Sequence, residues 1–361
     1  MEKTEIKKET KRKIWTEEKG LILGIAVLSL AVIVLLIYVY YSPKSTTKQY
    51  SIEAIEIVGD CKDCFDVKLL ADSIIKDNNL NVKSRETLDY TSQKAKELIS
   101  RYNLKTIPAL IIFSKNINEI KINNGVFSIK DDYAIFDKSV PYLNLETKEI
   151  KGFVKLTEIK PDKCAECISL SQIKNQFEKN GVKIEKYEAI NSSSDSGKKL
   201  INENELNFVP ILLISKDIKE YWWIFDQIKD SLVEKEDYYI LKNAIPPYLD
   251  LKDRRVKGKV DILYLENKSC ENCFNVTQLK SSFQGLGVYF VSEKYVDVSS
   301  TEGKSLLNNY NITAIPTIVL SRDIQDYSSL KNMLEQAGSF ENDGKFVFRK
   351  LETLNAEYQK V

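Results

Sequence analysis

The stretch Val58–Leu70, VGDCKDCFDVKLL, sets Cys61 and Cys64 two residues apart just ahead of an apolar run. That spacing suits half of a zinc site, a structural clip or a redox-active dithiol. The remaining cysteines narrow the choice. The 361-residue chain has six, and all fall into C-x-x-C pairs: Cys61/Cys64, Cys164/Cys167 and Cys270/Cys273, each pair a little over a hundred residues from the next. Self-similarity of this kind is the first thing to follow in a sequence.

The repetition extends well beyond the cysteines. Each pair is followed by a helix-like segment (FDVKLLADSIIKDNN, ISLSQIKNQFEKNG, FNVTQLKSSFQGLG), an extended stretch and a second helix (SQKAKELISRYNL, DSGKKLINENELN, TEGKSLLNNYNIT). A proline then interrupts a hydrophobic strand in TIPALIIFS, FVPILLISK and AIPTIVLSR. These prolines, Pro108, Pro210 and Pro316, lie 47, 46 and 46 residues after their first cysteines. The pattern predicts β-α-β-α-β in each copy, with a third helix and a closing strand (DYYILKN, KFVFRKL) in copies two and three. Copies one and two end in VPYLNLETKEIKG and IPPYLDLKDRRVKG, whereas copy three ends LETLNAEYQKV. Pro-Tyr-Leu therefore reads as a linker strand needed only where another unit follows. Tyr221, Trp222 and Trp223 read as packing of a helix onto the sheet.

A strand, a C-x-x-C pair opening a helix, and an Ile-Pro or Val-Pro strand at matched spacing together resemble the thioredoxin-like superfamily. The fold class expected is α/β: three tandem thioredoxin-like domains, each a central mixed sheet flanked by helices, over residues 50–152, 153–257 and 258–361. The resemblance implies that Cys61, Cys164 and Cys270 attack and that Cys64, Cys167 and Cys273 resolve the mixed disulfide. It implies that Pro108, Pro210 and Pro316 are cis, face the dithiol and leave a backbone edge free for a substrate strand. A helix start beside the first sulfur would favour its thiolate. Against that, the intervening pairs Lys62-Asp63, Ala165-Glu166 and Glu271-Asn272 each carry a carboxylate, and Asp60 adds another in copy one. Such carboxylates raise a thiol pKa and stabilise the disulfide, so reducing to intermediate potentials are expected. Glu56, Glu158 and Glu266 sit five, six and four residues before the first cysteine, which gives no constant place for a buried acid.

Composition sets further bounds. Lys+Arg 53 against Asp+Glu 52 gives a net charge of +1 and no sign of a nucleic-acid partner. Histidine is absent, which removes His bases and His-ligated metals. Zinc also needs cysteine pairs much closer in sequence than these. No metal-binding and no cofactor-binding residues are identified.

Before the repeats, residues 21–41 (LILGIAVLSLAVIVLLIYVYY) carry no charge. Twenty-one residues span about 30 Å as a helix, the thickness of a bilayer core. The run is longer than the core of a cleaved signal peptide, so a retained anchor is expected. Seven lysines and arginines precede it within residues 1–20 and only Lys44 and Lys48 closely follow. The positive-inside rule then keeps the N-terminus cytoplasmic and exports residues 42–361, with 42–49 a short linker.

The function expected is a single-pass, cell-membrane thiol–disulfide oxidoreductase of reductase or isomerase type. Its partners would be exported cysteine-containing proteins or extended peptides. The anchor holds no cysteine, so a separate membrane protein or a small-molecule thiol must supply electrons. The alternative is a binding array with permanently oxidised pairs.

Overall fold

The computed structural model describes residues 49–122, 125–354 and 357–361. The expected cytoplasmic N-terminus (1–20), the anchor (21–41) and nearly all of the linker (42–49) lie outside the described residues. Among the described residues, no helix is long and apolar enough to cross a membrane.

One architecture occurs three times. In the first unit the strand Ser51–Val58 runs parallel to Asn81–Asp89 and antiparallel to Ala109–Phe113. Tyr133–Phe136 and Ser128–Ile129 complete an antiparallel edge. The other two five-stranded sheets repeat this order, centred on Phe153–Lys160 with Ile211–Ser215 and on Val260–Glu266 with Thr317–Leu320.

The residue pattern explains the layering. Strands covered on both faces read as continuous apolar runs, as in Ala109–Phe113 (ALIIF), where four of the five residues are buried. The helix Val67–Asp77 buries Val67, Ala71 and Ile74, which lie on one face. They pack on Ile52, Ala54, Leu110 and Ile112. On the opposite face Gln93–Tyr102 buries Ala95 and Leu98 against Ile57, Ile107 and Ile111. Ser92, Ser194 and Ser300 cap the second helix of each unit by accepting from Ala95, Gly197 and Gly303 N–H. The same two-sided packing recurs in the other units.

The third helix is present in copies two and three as Trp222–Ile228 and Lys331–Ala337. The 3₁₀ turn Ile117–Glu119 of copy one matches the 3₁₀ turns Lys216–Glu220 and Arg322–Asp326 that precede those helices, and among the described residues of that copy no third α-helix follows it. The aromatic cluster divides. Tyr221 is fully buried and the Trp223 indole N–H donates to the Asn180 carbonyl at 3.2 Å, but Trp222 is 56% exposed and does not pack the helix.

One sequence expectation is corrected. Pro-Tyr-Leu does form a strand, Tyr142–Asn144 in copy one and Tyr248–Asp250 in copy two. Copy three has its counterpart in Gln359–Lys360, so the strand does not depend on the Pro-Tyr-Leu sequence. A common register establishes the match: Leu143, Leu249 and Gln359 pair with Ile107, Val209 and Ile315. The equivalent tripeptide in copy three is Glu357-Tyr358-Gln359, where exchange of Pro for Glu and Leu for Gln hides the relation in sequence.

Candidate functional site

The cysteine pairs occupy the turn after the first strand of each unit. Cys61–Cys64, Cys164–Cys167 and Cys270–Cys273 are disulfides with Cα atoms 5.4, 5.4 and 5.5 Å apart. All six residues are half-buried. The bonds Ile107–Pro108, Val209–Pro210 and Ile315–Pro316 are cis, as the resemblance implies. In copy one a cleft of about 240 Å³ is lined by Cys61, Cys64, Ile107, Pro108 and Leu143. A larger cleft of about 460 Å³ lies between Ser51 and Ser114, at the opposite end of the sheet, away from this chemistry. Gly59 permits the dithiol loop to approach the proline strand, since a Cβ there would stand 2.8 Å from Ile107 Cδ1.

The dithiols do not open a helix. The first helices start at Val67, Ser171 and Gln278, three to five residues beyond the second cysteine. N–H groups at or just before these starts have acceptors. Asp66 Oδ1 accepts from Lys68 and Leu69, Glu158 Oε1 accepts from Leu170, and Asn275 Oδ1 accepts from Thr277. In copy one this occupies early donors on which thiolate stabilisation would rest, whereas Leu170 and Thr277 only precede their helices and in copy two the Cys167 N–H donates to Cys164 Sγ at 3.1 Å.

The buried acid does have a constant place, which counting from the cysteine conceals. Glu56 pairs with Leu110 and Glu158 with Leu212, each the second residue after its proline. By the same register the third position is Tyr264, opposite Ile318, and not Glu266. The partner on the neighbouring parallel strand is also constant: Arg85, Tyr187 and Glu293 pair with Ala54, Leu156 and Ile262. Their chemistry is exchanged between copies. Glu56, 1% exposed, is held by Arg85 at 2.6 Å and by Thr87. Glu158 accepts from the Tyr187 hydroxyl, whereas the Tyr264 hydroxyl donates to Glu293 at 3.0 Å. Burial, then the carboxylate, pushes Tyr187 and Tyr264 well above the usual phenol range.

Copy two differs in the acid within its motif. Lys259 Nζ donates to Glu166 Oε1 at 2.8 Å and holds that carboxyl below the usual range. The charge expected to disfavour the Cys164 thiolate is therefore offset by a cation just before the third unit's first strand. Lys259 lies 93 residues from Glu166 in the sequence, so nothing around Cys164 signals this contact.

The edge ahead of each proline is not free. Thr106–Ile107 pairs with Tyr142–Asn144, Phe208–Val209 with Tyr248–Asp250, and Ala314–Ile315 with Gln359–Lys360. The residue after each second cysteine also donates to this segment: Phe65 to Pro141 O at 3.0 Å, Ile168 to Pro247 O at 3.0 Å, and Phe274 to Glu357 O at 2.9 Å.

No protein-family profile and no curated protein matches the chain. Solved structures do. A crystal structure of ERdj5 is 11% identical with a TM-score of 0.17, covering 81% of this chain and 43% of that one. The chain therefore spans under half the length of that structure. A protein disulfide oxidoreductase from Aeropyrum pernix K1 is 18% identical (TM-score 0.15; 47% and 77% covered). Human ERp44 is 10% identical (TM-score 0.16; 87% and 97% covered). Superpositions at these scores carry no argument. The assignment rests on the chain itself: three identical sheet orders, each with a C-x-x-C turn and a cis-proline strand, have the thioredoxin-like fold. That fold and the three motifs support a thiol–disulfide function.

Proposed function

We propose that the chain is a membrane-anchored, extracytoplasmic array of three thioredoxin-like units that exchanges disulfides with exported cysteine-containing polypeptides. The observation that carries this reading is the three-fold recurrence of a half-buried C-x-x-C disulfide with its cis-proline strand. A bridge closing so small a loop constrains little of the unfolded chain, so stability alone is a weak reason to keep three. In the oxidised state, a substrate thiolate attacks the sulfur of Cys61, Cys164 or Cys270. The mixed disulfide forms and Cys64, Cys167 or Cys273 leaves as thiolate. A second substrate thiolate then displaces the unit, which departs as a dithiol while the substrate gains a disulfide. Run backwards, the sequence reduces substrate, and turnover needs a separate thiol donor on the same side of the membrane. In copy one the Asp66-capped helix and the acids Asp60 and Asp63 favour the reducing direction, whereas in copy two Lys259 offsets Glu166.

A second reading is a non-catalytic peptide-binding array whose disulfides stay closed; the paired edge ahead of each proline counts against it, since no free strand edge is left there for a peptide. A trap separates the two. Cys64→Ala, Cys167→Ala and Cys273→Ala, made singly, are expected to hold substrates as adducts in non-reducing gels. Absence of every adduct, together with silence in an insulin-reduction assay, would leave the binding array standing. Protease protection of residues 50–361 in inside-out vesicles tests the topology.

A further inference from the structure

Copies two and three can be matched residue for residue through their third helix. Tyr221 and Tyr327 hold equivalent places, each accepting a backbone N–H and donating to a junction glycine carbonyl. Eleven residues on in both copies the edge strands Leu232–Glu234 and Gly338–Phe340 begin, with Leu232 opposite Leu241 and Gly338 opposite Phe348. Within that span the side chains differ. In copy two the Phe225 ring stands 5.3 Å from the Tyr239 ring. Lys216 and Lys219 lie over Tyr239 at 4.4 and 5.4 Å, and Glu234 pairs with both lysines at 2.6 and 3.0 Å. Copy three puts Lys331 at the place of Phe225, Gln325 at that of Lys219 and Phe340 at that of Glu234.

In copy three these residues line a cleft of about 320 Å³, together with Ile324, Tyr327 and Leu334. Its floor is apolar: Ile324, Tyr327 and Leu334 belong to the core, and the Phe340 ring packs 5.5 Å from Phe346. Its rim is polar. Gln325 Nε2 donates to the Gly344 carbonyl at 2.6 Å, which fixes that side. The Lys331 side chain is 68% exposed, and its pairing with the exposed Glu335 spans 3.9 Å, a contact of little energy. The volume falls at the lower end of the range for small-molecule sites. An apolar floor with one weakly held cation at its mouth suits a compact molecule with one ring and one negative group.

We propose that this cleft binds a small aromatic carboxylate. The ligand's ring takes the place that Phe225 fills in copy two, against Tyr327 and Phe340, and its carboxylate draws Lys331 away from Glu335. The 3₁₀ turn Arg322–Asp326 that carries Ile324 and Gln325 follows Thr317–Leu320 at the end remote from Pro316, so the site is separate from the third dithiol. The binding does not rest on the exchange reading above. Tyr327 forms one wall with its ring while its hydroxyl holds the Gly258 carbonyl and the Tyr289 N–H. Occupancy therefore also braces the junction between units two and three.

The test is equilibrium dialysis of radiolabelled 3-phenylpropionate against the full chain in lipid nanodiscs, with empty nanodiscs as the blank. Saturable uptake is expected, and unlabelled 3-phenylpropanol, which has the same ring and no charge, should need about tenfold more to displace it than unlabelled acid does. Lys331→Gln is expected to weaken uptake about tenfold and to bring the alcohol and the acid to equal potency. Lys331→Phe, which restores the residue of copy two at an exposed position, should abolish saturable uptake without lowering the thermal midpoint of the unliganded chain. No saturable uptake by the unaltered chain, or uptake that survives Lys331→Phe at full affinity, overturns the proposal. Equal displacement by alcohol and acid in the unaltered chain overturns the carboxylate as the ligand class.

Discussion

The Tyr142 hydroxyl donates to Glu220 at 2.8 Å, so the strand that covers the first dithiol's edge is fastened to the second unit. Burial first, then that carboxylate, raises the Tyr142 phenol pKa. At the next junction Tyr248 is raised by burial and then by Asp326. Units and sites are therefore coupled through their junctions, and the predictions begin there.

Tyr221 and Tyr327 lock the junctions from the other side. Each hydroxyl donates to a junction glycine carbonyl (Gly152 at 2.7 Å, Gly258 at 2.8 Å) and accepts a backbone N–H, from Lys183 at 2.9 Å and Tyr289 at 2.8 Å. Tyr327→Phe strands the buried Gly258 carbonyl and the half-buried Tyr289 N–H and is expected to cost about 1–3 kcal/mol in denaturant unfolding. Burial raises both phenols from 10.0 to about 12. A raised pKa contributes stability that is full below the unfolded value and lost as pH rises through the folded one. Thermal melts should therefore fall between pH 10 and about 12, and the double Phe variant should flatten that fall.

Arg85 is the main neutralising partner of a carboxylate that is 1% exposed. Arg85→Ala is expected to destabilise by about 3–5 kcal/mol, because the charge of Glu56 is left buried with Thr87 as its remaining side-chain partner. Replacing Glu56 and Arg85 together by leucine should cost much less. Denaturant midpoints of the two singles and the double close that cycle.

Lys259 offsets the acid inside the second motif. In reduced protein, Lys259→Ala is expected to raise the Cys164 thiol pKa by up to about one pH unit, with the shift shrinking as salt is added. Thiolate ultraviolet absorbance against pH reads it. Because the folded Glu166 pKa is lowered, the tether is complete above the unfolded value of about 4.5 and is lost as pH falls through the folded one.

Much of this was legible in the sequence. The repeat, the cysteine pairing and the prolines were visible because each is a residue-type signature at fixed spacing. What stayed hidden depends on register. Glu56, Glu158 and Tyr264 share one place, yet loops of different length set them five, six and six residues ahead of Cys61, Cys164 and Cys270. The Glu–Tyr pair of copy two is also reversed to Tyr–Glu in copy three, so neither position keeps its residue type. Glu357-Tyr358-Gln359 was missed because a strand end needs backbone complementarity more than any particular side chain. Lys259 was invisible near Cys164 because it belongs to another unit.

The most direct measurement is equilibration of the chain with glutathione redox buffers, with each of the three dithiols quantified by alkylation and mass spectrometry. All three are expected to titrate reversibly, at potentials well below the roughly −120 mV of a strong oxidant. Disulfides that stay closed at every buffer ratio, or midpoints near that oxidising value, would contradict the account.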